Sequence, residues 1–226
     1  MPDWNELYRD ESDIPKAPEV EVHRFIELLE SKFSDRPLRI WDHLCGAGRH
    51  TILIAKMGHS AYGSDGAENA IKLALRWLSD EGLSAHLEVA DMTICPWNDA
   101  TFHGVISWEA IYHNTLDNII RAMDMIHNHL IIGGLFLGTF KSTKADSYGV
   151  GVEIEKNTYI SESKCCRDSG IPHHFFGEDG LRDLFKEWEM LLLAELVVSY
   201  VEKRSDVIEH NIFPHTTWGV LLRKIK

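Results

Sequence analysis

Apolar residues recur at helical spacing early in the chain. Val22, Phe25, Ile26, Leu29 and Phe33 fall on one helical face, with Glu21, Glu27, Glu30 and Lys32 on the other. "SDRP" closes that helix. The apolar run "LRIWD" then reads as a short buried strand, and "AGRHTILIAKMG" as a helix that Gly58 ends. "SAYGSD" repeats the strand pattern, and "AENAIKLALRWLSDEG" sets Ile71, Ala74, Leu75 and Leu78 along one side of a helix. "AHLEVAD" and "FHGVISW" are further strands, Leu116–Leu130 a helix, and "GGLFLGTF" a fifth strand behind a Gly-Gly turn. Strands alternating with helices predict a parallel sheet covered on both faces.

Residues 141–170 break the alternation: the stretch is polar, holds "SYGVG" and "KNTY", and predicts loops or an inserted lid. A helix at "EDGLRDLFKEW" and strands at "MLLLAELVVSYVE" and "TTWGVLLRK" follow. The 226 residues, 44% apolar, suffice for one domain with some decoration. The expected division is a single domain over 1–226, with a helical cap over 1–36 and a lid or insert over 141–176.

Charge narrows the partners. Thirty-five acids against 23 bases give a net charge of −12, an acidic balance that repels phosphate backbones and disfavours nucleic acid. Cys45, Cys95, Cys165 and Cys166 show no disulfide-framework spacing, and the acidic N-terminus has no apolar signal core, so a cytoplasmic setting is expected. The most apolar windows, Ile119–Phe140 and Met190–Val201, are interrupted by Arg121, Asp124, His127 and Glu195, as in a buried helix and strand rather than membrane spans.

The candidate chemistry begins at "IWDHLCGAGRH". In an open parallel sheet, ligands bind beyond the carboxyl ends of the strands where strand order reverses, which directs attention to the turn after the first strand. Gly46 and Gly48 allow close backbone approach, and the next helix offers free N–H groups. Dinucleotide sites favour a third glycine, but Thr51 occupies that position. Asp42 ends the strand, and a carboxylate there suits an amino group rather than a pyrophosphate. Asp42 and Asp65 also have an ordinary reading as acids at helix N-termini.

"IWDHLCGAGRHT", "GSDGAENAIKLA", "EVADMTICPW", "FHGVISWEAIYH" and "GGLFLGTF", in that order, resemble the successive motifs of class I S-adenosylmethionine (SAM)-dependent methyltransferases. The likeness is greatest to the small-molecule branch, of the ubiquinone-biosynthesis and tellurite-resistance types, over about 38–140. It implies a Rossmann-like α/β fold: a seven-stranded, mostly parallel sheet with helices on both faces, the last strand antiparallel, plus an N-terminal helix and an inserted lid. It also implies a methyltransferase acting on a small-molecule acceptor, with S-adenosyl-L-methionine as cofactor. Asp42 and the backbone of Leu44, Cys45, Gly46, Ala47 and Gly48 would hold the methionine portion. Asp65, with Gly66, would take the ribose hydroxyls, Asp91 and Met92 the adenine, and Ser107 and Trp108 would border the sulfonium. Tyr8, four residues after Trp4, would fold over the cofactor; an amphipathic packing helix explains that pair nearly as well.

Two positions depart from the family pattern. Leu44 replaces a glycine; with ordinary backbone angles its side chain would turn away from the ligand. His103 and Gly104 replace an acid and an apolar residue at the start of the fourth strand. A non-catalytic SAM-binding module with a degenerate first motif, and a dinucleotide-dependent oxidoreductase, are the alternatives.

Methyl transfer from a sulfonium needs a positioned nucleophile and, for some acceptors, a base. His113, Tyr112 and Glu109 follow the fourth strand, and His113 is the preferred base because its free pKa lies near neutrality; bonding to a backbone group at a helix start is its structural alternative. His113, Tyr159, His173 and His174 are the candidate acceptor-binding residues. Arg49 and His50 read as structural. No metal-ligand spacing accompanies the thirteen histidines, so no metal is expected. Cys165 and Cys166 could take a soft metalloid, or be plain loop thiols. The atom methylated and the oligomeric state are not legible.

Overall fold

A computed structural model describes residues 4–11, 14–161, 169–200 and 213–226. Five parallel strands form its centre: β1 (Arg39–His43), β2 (Ser60–Asp65), β3 (His86–Val89), β4 (Phe102–Ser107) and β5 (Leu130–Ser142). Their order is β3-β2-β1-β4-β5, so the order reverses between β1 and β4. Further along, β6 (Val152–Glu155), β7 (Thr158–Ile160), β8 (Pro172–Phe176), β9 (Glu189–Tyr200) and β10 (Phe213–Arg223) complete the strands of the described residues. β10 inserts beside β5 in antiparallel sense, and β9 pairs with β10. The expected seven-stranded sheet with an antiparallel last strand is therefore present.

Three further strands correct the expectation of loops in the insert. β6 and β7 form a hairpin, and β8 continues the sheet from the far end of β5 through the pairs Lys141 with Phe175 and Ser142 with Phe176. Val152 and Ile154 alternate with Glu153 and Glu155, the period of a strand rather than a coil. β5 also begins earlier than expected, at Leu130, taking the Gly133-Gly134 pair in as an irregularity with Gly133 left-handed.

The helices are α1 (Trp4–Leu7), α2 (Val20–Lys32), α3 (Arg49–Lys56), α4 (Glu68–Asp80), α5 (Leu116–His129) and α6 (Glu178–Leu184). They cover both faces, and the long helices α2, α4 and α5 each bury the stripe that their periodicity marks. Alternation along β1 shows the division: Ile40 joins Phe25, Ile26 and Leu29 of α2, whereas Trp41 joins Phe102 and the Ile119, Met123 and Ile126 stripe of α5.

The unusual pair on β4 has a packing reason. A Cβ on Gly104 would lie 2.4 Å from Leu29 Cδ1, so glycine lets α2 settle onto the strand. His103 Nδ1 accepts the N–H of Arg39 at 3.0 Å, tying β4 to the start of β1. Among the described residues, no helix is long and apolar enough to cross a membrane.

Candidate active site

A cavity of about 350 Å³ opens at the carboxyl ends of β1 and β4, the point where strand order reverses. Asp42 is the next-to-last residue of β1 and is 2% exposed. Its Oδ2 accepts two hydrogen bonds from Thr51, from the N–H at 2.9 Å and the hydroxyl at 2.7 Å. Thr51, standing where a dinucleotide site would carry glycine, thus holds the acid in place. Burial pushes the Asp42 pKa up to about 7, against the lowering effect of the Thr51 bonds and of Arg49. Its Oδ1 lies 4.0 Å from Nδ1 of His50, which burial keeps neutral, at a pKa of about 3. Asp42 therefore has no charged partner of opposite sign in direct contact among the described residues.

The turn after β1 passes through three left-handed residues: Leu44 (φ 59), Gly46 (φ 54) and Gly48 (φ 80). The condition under which the Leu44 side chain would turn away, ordinary backbone angles, is not met: the loop takes the glycine-type conformation there, at a cost of about 1–2 kcal/mol for a residue with a Cβ. Leu44 nonetheless packs partly against the core that contains Trp41 and Met92, while still bordering the cavity. Cys45 and Ala47 are buried on the cavity wall, and the Cys45 N–H donates to Ser64 O at 2.9 Å. Burial raises the Cys45 thiol well above its usual range.

Asp65 ends β2. Its Oδ2 accepts the N–H of Gly46 at 2.8 Å and its Oδ1 that of Ala67 at 2.9 Å, joining the two loops. Burial raises its pKa, opposed by those two bonds. Gly66 borders the cavity beside it. Asp91 follows β3, with Oδ1 bonded by the Thr93 N–H and hydroxyl, an interaction that holds its carboxyl below the usual range. It thus caps a turn and also borders the cavity, as does Met92.

The N-terminal segment closes one side. Asn5 accepts the Asn69 N–H at 3.0 Å and receives the Asn69 amide on its carbonyl, docking α1 at the start of α4. Trp4 and Tyr8 both reach the cavity wall, and the Tyr8 hydroxyl occupies the space that a Cβ on Gly46 would need. Arg49 binds Glu19 Oε1 at 2.8 Å and Ala17 O at 3.2 Å, and His50 Nε2 accepts the Glu19 N–H at 3.3 Å. Both side chains, read from sequence as structural, anchor the strap and also line the cavity.

Trp108, Glu109 and His113 supply the opposite wall. Glu109 is left-handed (φ 52), a conformation that a residue with a side chain rarely holds. Its N–H donates to the buried Thr139 Oγ1 at 2.6 Å, and its Oε2 accepts the Tyr112 hydroxyl at 2.7 Å. The ring of His113 meets those of Trp4, Tyr112 and His173 at centroid distances of 5.1, 4.4 and 4.5 Å.

Several predicted site residues lie elsewhere. Gly48 caps α3 and abuts Ala74, where a Cβ would lie 2.9 Å away; it is not on the wall. Ser107 is fully buried behind the wall, as is Tyr112 at 2% exposure. His173 stands behind His113, whereas His174, its neighbour along β8, bonds Thr158 Oγ1 at 2.6 Å. Tyr159 packs on Tyr148 and Phe175, away from the cavity wall. Cys165 and Cys166 lie outside the described residues.

Sequence reading passed over His43. Its Nε2 lies 2.8 Å from Met92 O, so that nitrogen carries the proton, and Nδ1 accepts the Ser107 hydroxyl at 3.3 Å. Burial holds its pKa down at about 4, so the ring stays neutral and pins the ends of β1 and β4 to the loop after β3. The signal was the period of two: His43 shares a strand face with buried Trp41.

The architecture and this crevice define the fold of the class I SAM-dependent methyltransferases. Residues 40–134 match the family model described as "Methyltransferase domain". Among solved structures, the chain is similar to TehB from Haemophilus influenzae at 16% identity and a TM-score of 0.68, over 95% of this chain; it spans 65% of that chain's length. It is also similar to a SAM-dependent methyltransferase from Methanosarcina mazei (16% identity, TM-score 0.71, 92% of this chain and 99% of that one). A third similar structure is magnesium protoporphyrin IX methyltransferase from Synechocystis PCC 6803 with bound SAM (12% identity, TM-score 0.60, 98% and 89%). At these identities the likeness concerns the fold. No curated protein matches the chain in sequence. The domain match is to methyltransferases, and of these neighbours one is described as SAM-dependent and one holds bound SAM.

Proposed function

We propose that the protein transfers a methyl group from S-adenosylmethionine to a small-molecule acceptor. The carrying observation is Asp42: a buried carboxylate, raised in pKa by burial and without a cation against it, at the rim of a cavity of ligand size. A ligand ammonium would supply the missing charge, whereas a pyrophosphate would add to the repulsion. The fit extends along the wall, with Gly46 and Cys45 at the methionine end, Asp65 for hydroxyl donors, and Asp91 with Met92 beyond. The bound cofactor supplies an activated methyl on sulfur. The chain's part is to hold the reactants in line, exclude water and receive a proton. His113 is the candidate proton acceptor, and Glu109 is a fixed carboxylate beside it.

Leu44 favours a second reading, a SAM-binding module without catalysis, because its side chain replaces the space a glycine would leave. Against this stands the left-handed, doubly anchored Glu109 on the same wall, strain that a mere binding pocket does not need. Calorimetric titration with SAM and S-adenosylhomocysteine (SAH), beside Asp65→Ala with its folding checked by circular dichroism, tests the cofactor site. Micromolar binding by the wild type and its loss in the variant are expected. A folded wild type that binds neither ligand would end the reading.

A further inference from the structure

The amino-acid end of the cofactor carries two charges on one carbon. Asp42 answers the ammonium, which leaves the carboxylate to be matched. Asp65 and Asp91, the acids that follow β2 and β3 on the same wall, disfavour another carboxylate beside them. Among the described residues, Arg49 is the only lysine or arginine that lines the cavity. It opens α3, next to His50 and two residues before Thr51, which holds Asp42.

Both side chains have donors to spare. Arg49 uses Nη1 alone on the strap, for Glu19 Oε1 at 2.8 Å and Ala17 O at 3.2 Å; its Nη2 and Nε make no hydrogen bond among the described residues. A guanidinium carries five N–H donors in a planar fork, so one carboxylate on Nη1 leaves the others for a second. His50 is 4% exposed, and its Nε2 accepts the Glu19 N–H at 3.3 Å. Burial, aided by Arg49, keeps the ring neutral, so its single proton lies on Nδ1. That N–H has no hydrogen-bond acceptor among the described residues: Asp42 Oδ1 lies 4.0 Å away, beyond hydrogen-bond reach. Asp42 Oδ1 itself accepts no bond from them, because both Thr51 bonds go to Oδ2. A donor and an acceptor therefore stand side by side on the cavity wall, each too far from the other to pair. A group with a cation and an anion on one carbon satisfies both in a single orientation, and the positive end of α3 favours its anion on the same side.

We propose that Arg49 and His50 bind the carboxylate of the cofactor's amino-acid end, through the Nη2 and Nε side of the guanidinium and the imidazole Nδ1–H. With Asp42 on the ammonium, this corner reads the complete zwitterion and discriminates against adenosyl thioethers that lack the carboxylate. The proposal rests on the SAM reading of the same cavity. It gives the two residues a second task beside anchoring the strap at Ala17 and Glu19.

The test compares two ligands by calorimetry: SAH, and its decarboxylated analogue, in which an aminopropyl chain keeps the ammonium. The wild type should bind SAH about ten- to hundredfold more tightly, as charge-assisted hydrogen bonds to one carboxylate provide. Arg49→Gln, with folding checked by circular dichroism, should lose most of that preference by weakening SAH alone. Arg49→Lys, which keeps the charge but not the fork, should retain part of it. In proton–nitrogen spectra of histidine-labelled protein, the His50 ring, assigned through His50→Gln, should be the Nδ1–H tautomer and should shift with SAH but not with the analogue. Equal wild-type affinity for the two ligands, an equal loss for both in Arg49→Gln, or an Nε2–H tautomer at His50 would overturn the proposal. The wild-type comparison decides the matter even where a variant fails to fold. Binding of SAH without the preference leaves the cofactor reading standing; a wild type that binds neither ligand removes that reading, and the carboxylate proposal with it.

Discussion

Asp42→Asn should make the ligand-free protein more stable while abolishing tight cofactor binding. The wild-type carboxyl rises from an ordinary 3.8 to about 7, chiefly through burial. At 1.36 kcal/mol per pH unit, that rise corresponds to about 4 kcal/mol. The sign follows from proton counts: between pH 3.8 and 7 the folded state holds a proton that the unfolded state has released. Wild-type stability from this group therefore falls as pH rises through that window and reaches its minimum above 7. Asparagine keeps an oxygen to accept the Thr51 N–H and hydroxyl and has no charge to desolvate. The stability difference between variant and wild type should grow by about 3 kcal/mol from pH 5 to pH 8, since about two pH units of the window lie above pH 5.

Urea denaturation of both proteins at the two pH values measures this directly, and taking the difference cancels groups common to both. Saturating SAH should reverse the ranking at pH 8, because its ammonium neutralises Asp42 in the wild type and finds no charge in the variant. A difference that does not change with pH would refute the reasoning, since it would mean that Asp42 ionises in the folded protein as it does in water.

Leu44→Gly relieves a left-handed leucine by about 1–2 kcal/mol. It also removes partly buried apolar surface and frees the unfolded chain by a similar total. Stability by urea denaturation should thus stay within about 1 kcal/mol of wild type, with cofactor binding kept; a loss above about 3 kcal/mol would show the side chain to be structurally required. His113→Ala should lower kcat about 10²- to 10⁴-fold once an acceptor is in hand, as expected for removal of a general base. An equal loss of SAH affinity by calorimetry would instead make His113 part of the cofactor wall.

Much of the central fold was legible because each element repeats one period: Val22, Phe25, Ile26 and Leu29 at helical spacing are all buried, and the five parallel strands lie where short apolar runs stood. The hairpin of β6 and β7 was hidden because its strands span four and three residues, and Val152 and Ile154 remain exposed. Period-two alternation that short competes with the turn signals of Gly149 and Gly151 beside it. Within the site, the strand-end acids could be placed by position alone. Side-chain direction could not: His173 and His174 are equally histidine in the sequence, and the pleat of β8 sends one towards His113 and the other to Thr158. The backbone of Leu44 was also out of reach, because its φ is set by a loop that must bring the Cys45 N–H to Ser64 and the Gly46 N–H to Asp65.

The least favourable features of the fold share one place. Leu44 and Glu109 are left-handed residues with side chains, and Asp42 is a buried acid; all three lie at the adjoining ends of β1 and β4. Strain at one point persists only where surrounding contacts over-determine it. Here they do: His43 bridges Ser107 on β4 and Met92 after β3, Thr51 grips Asp42, and Thr139 on β5 holds the Glu109 N–H. None of these three holding residues lines the cavity. Their side chains fix the wall from behind, so substitutions at His43, Thr51 or Thr139 should disturb the site without touching a ligand. The Asp42 cost, by contrast, is removed by a proton below pH 7 and, on the reading proposed above, by a ligand cation above it, which couples binding to folding at that carboxylate.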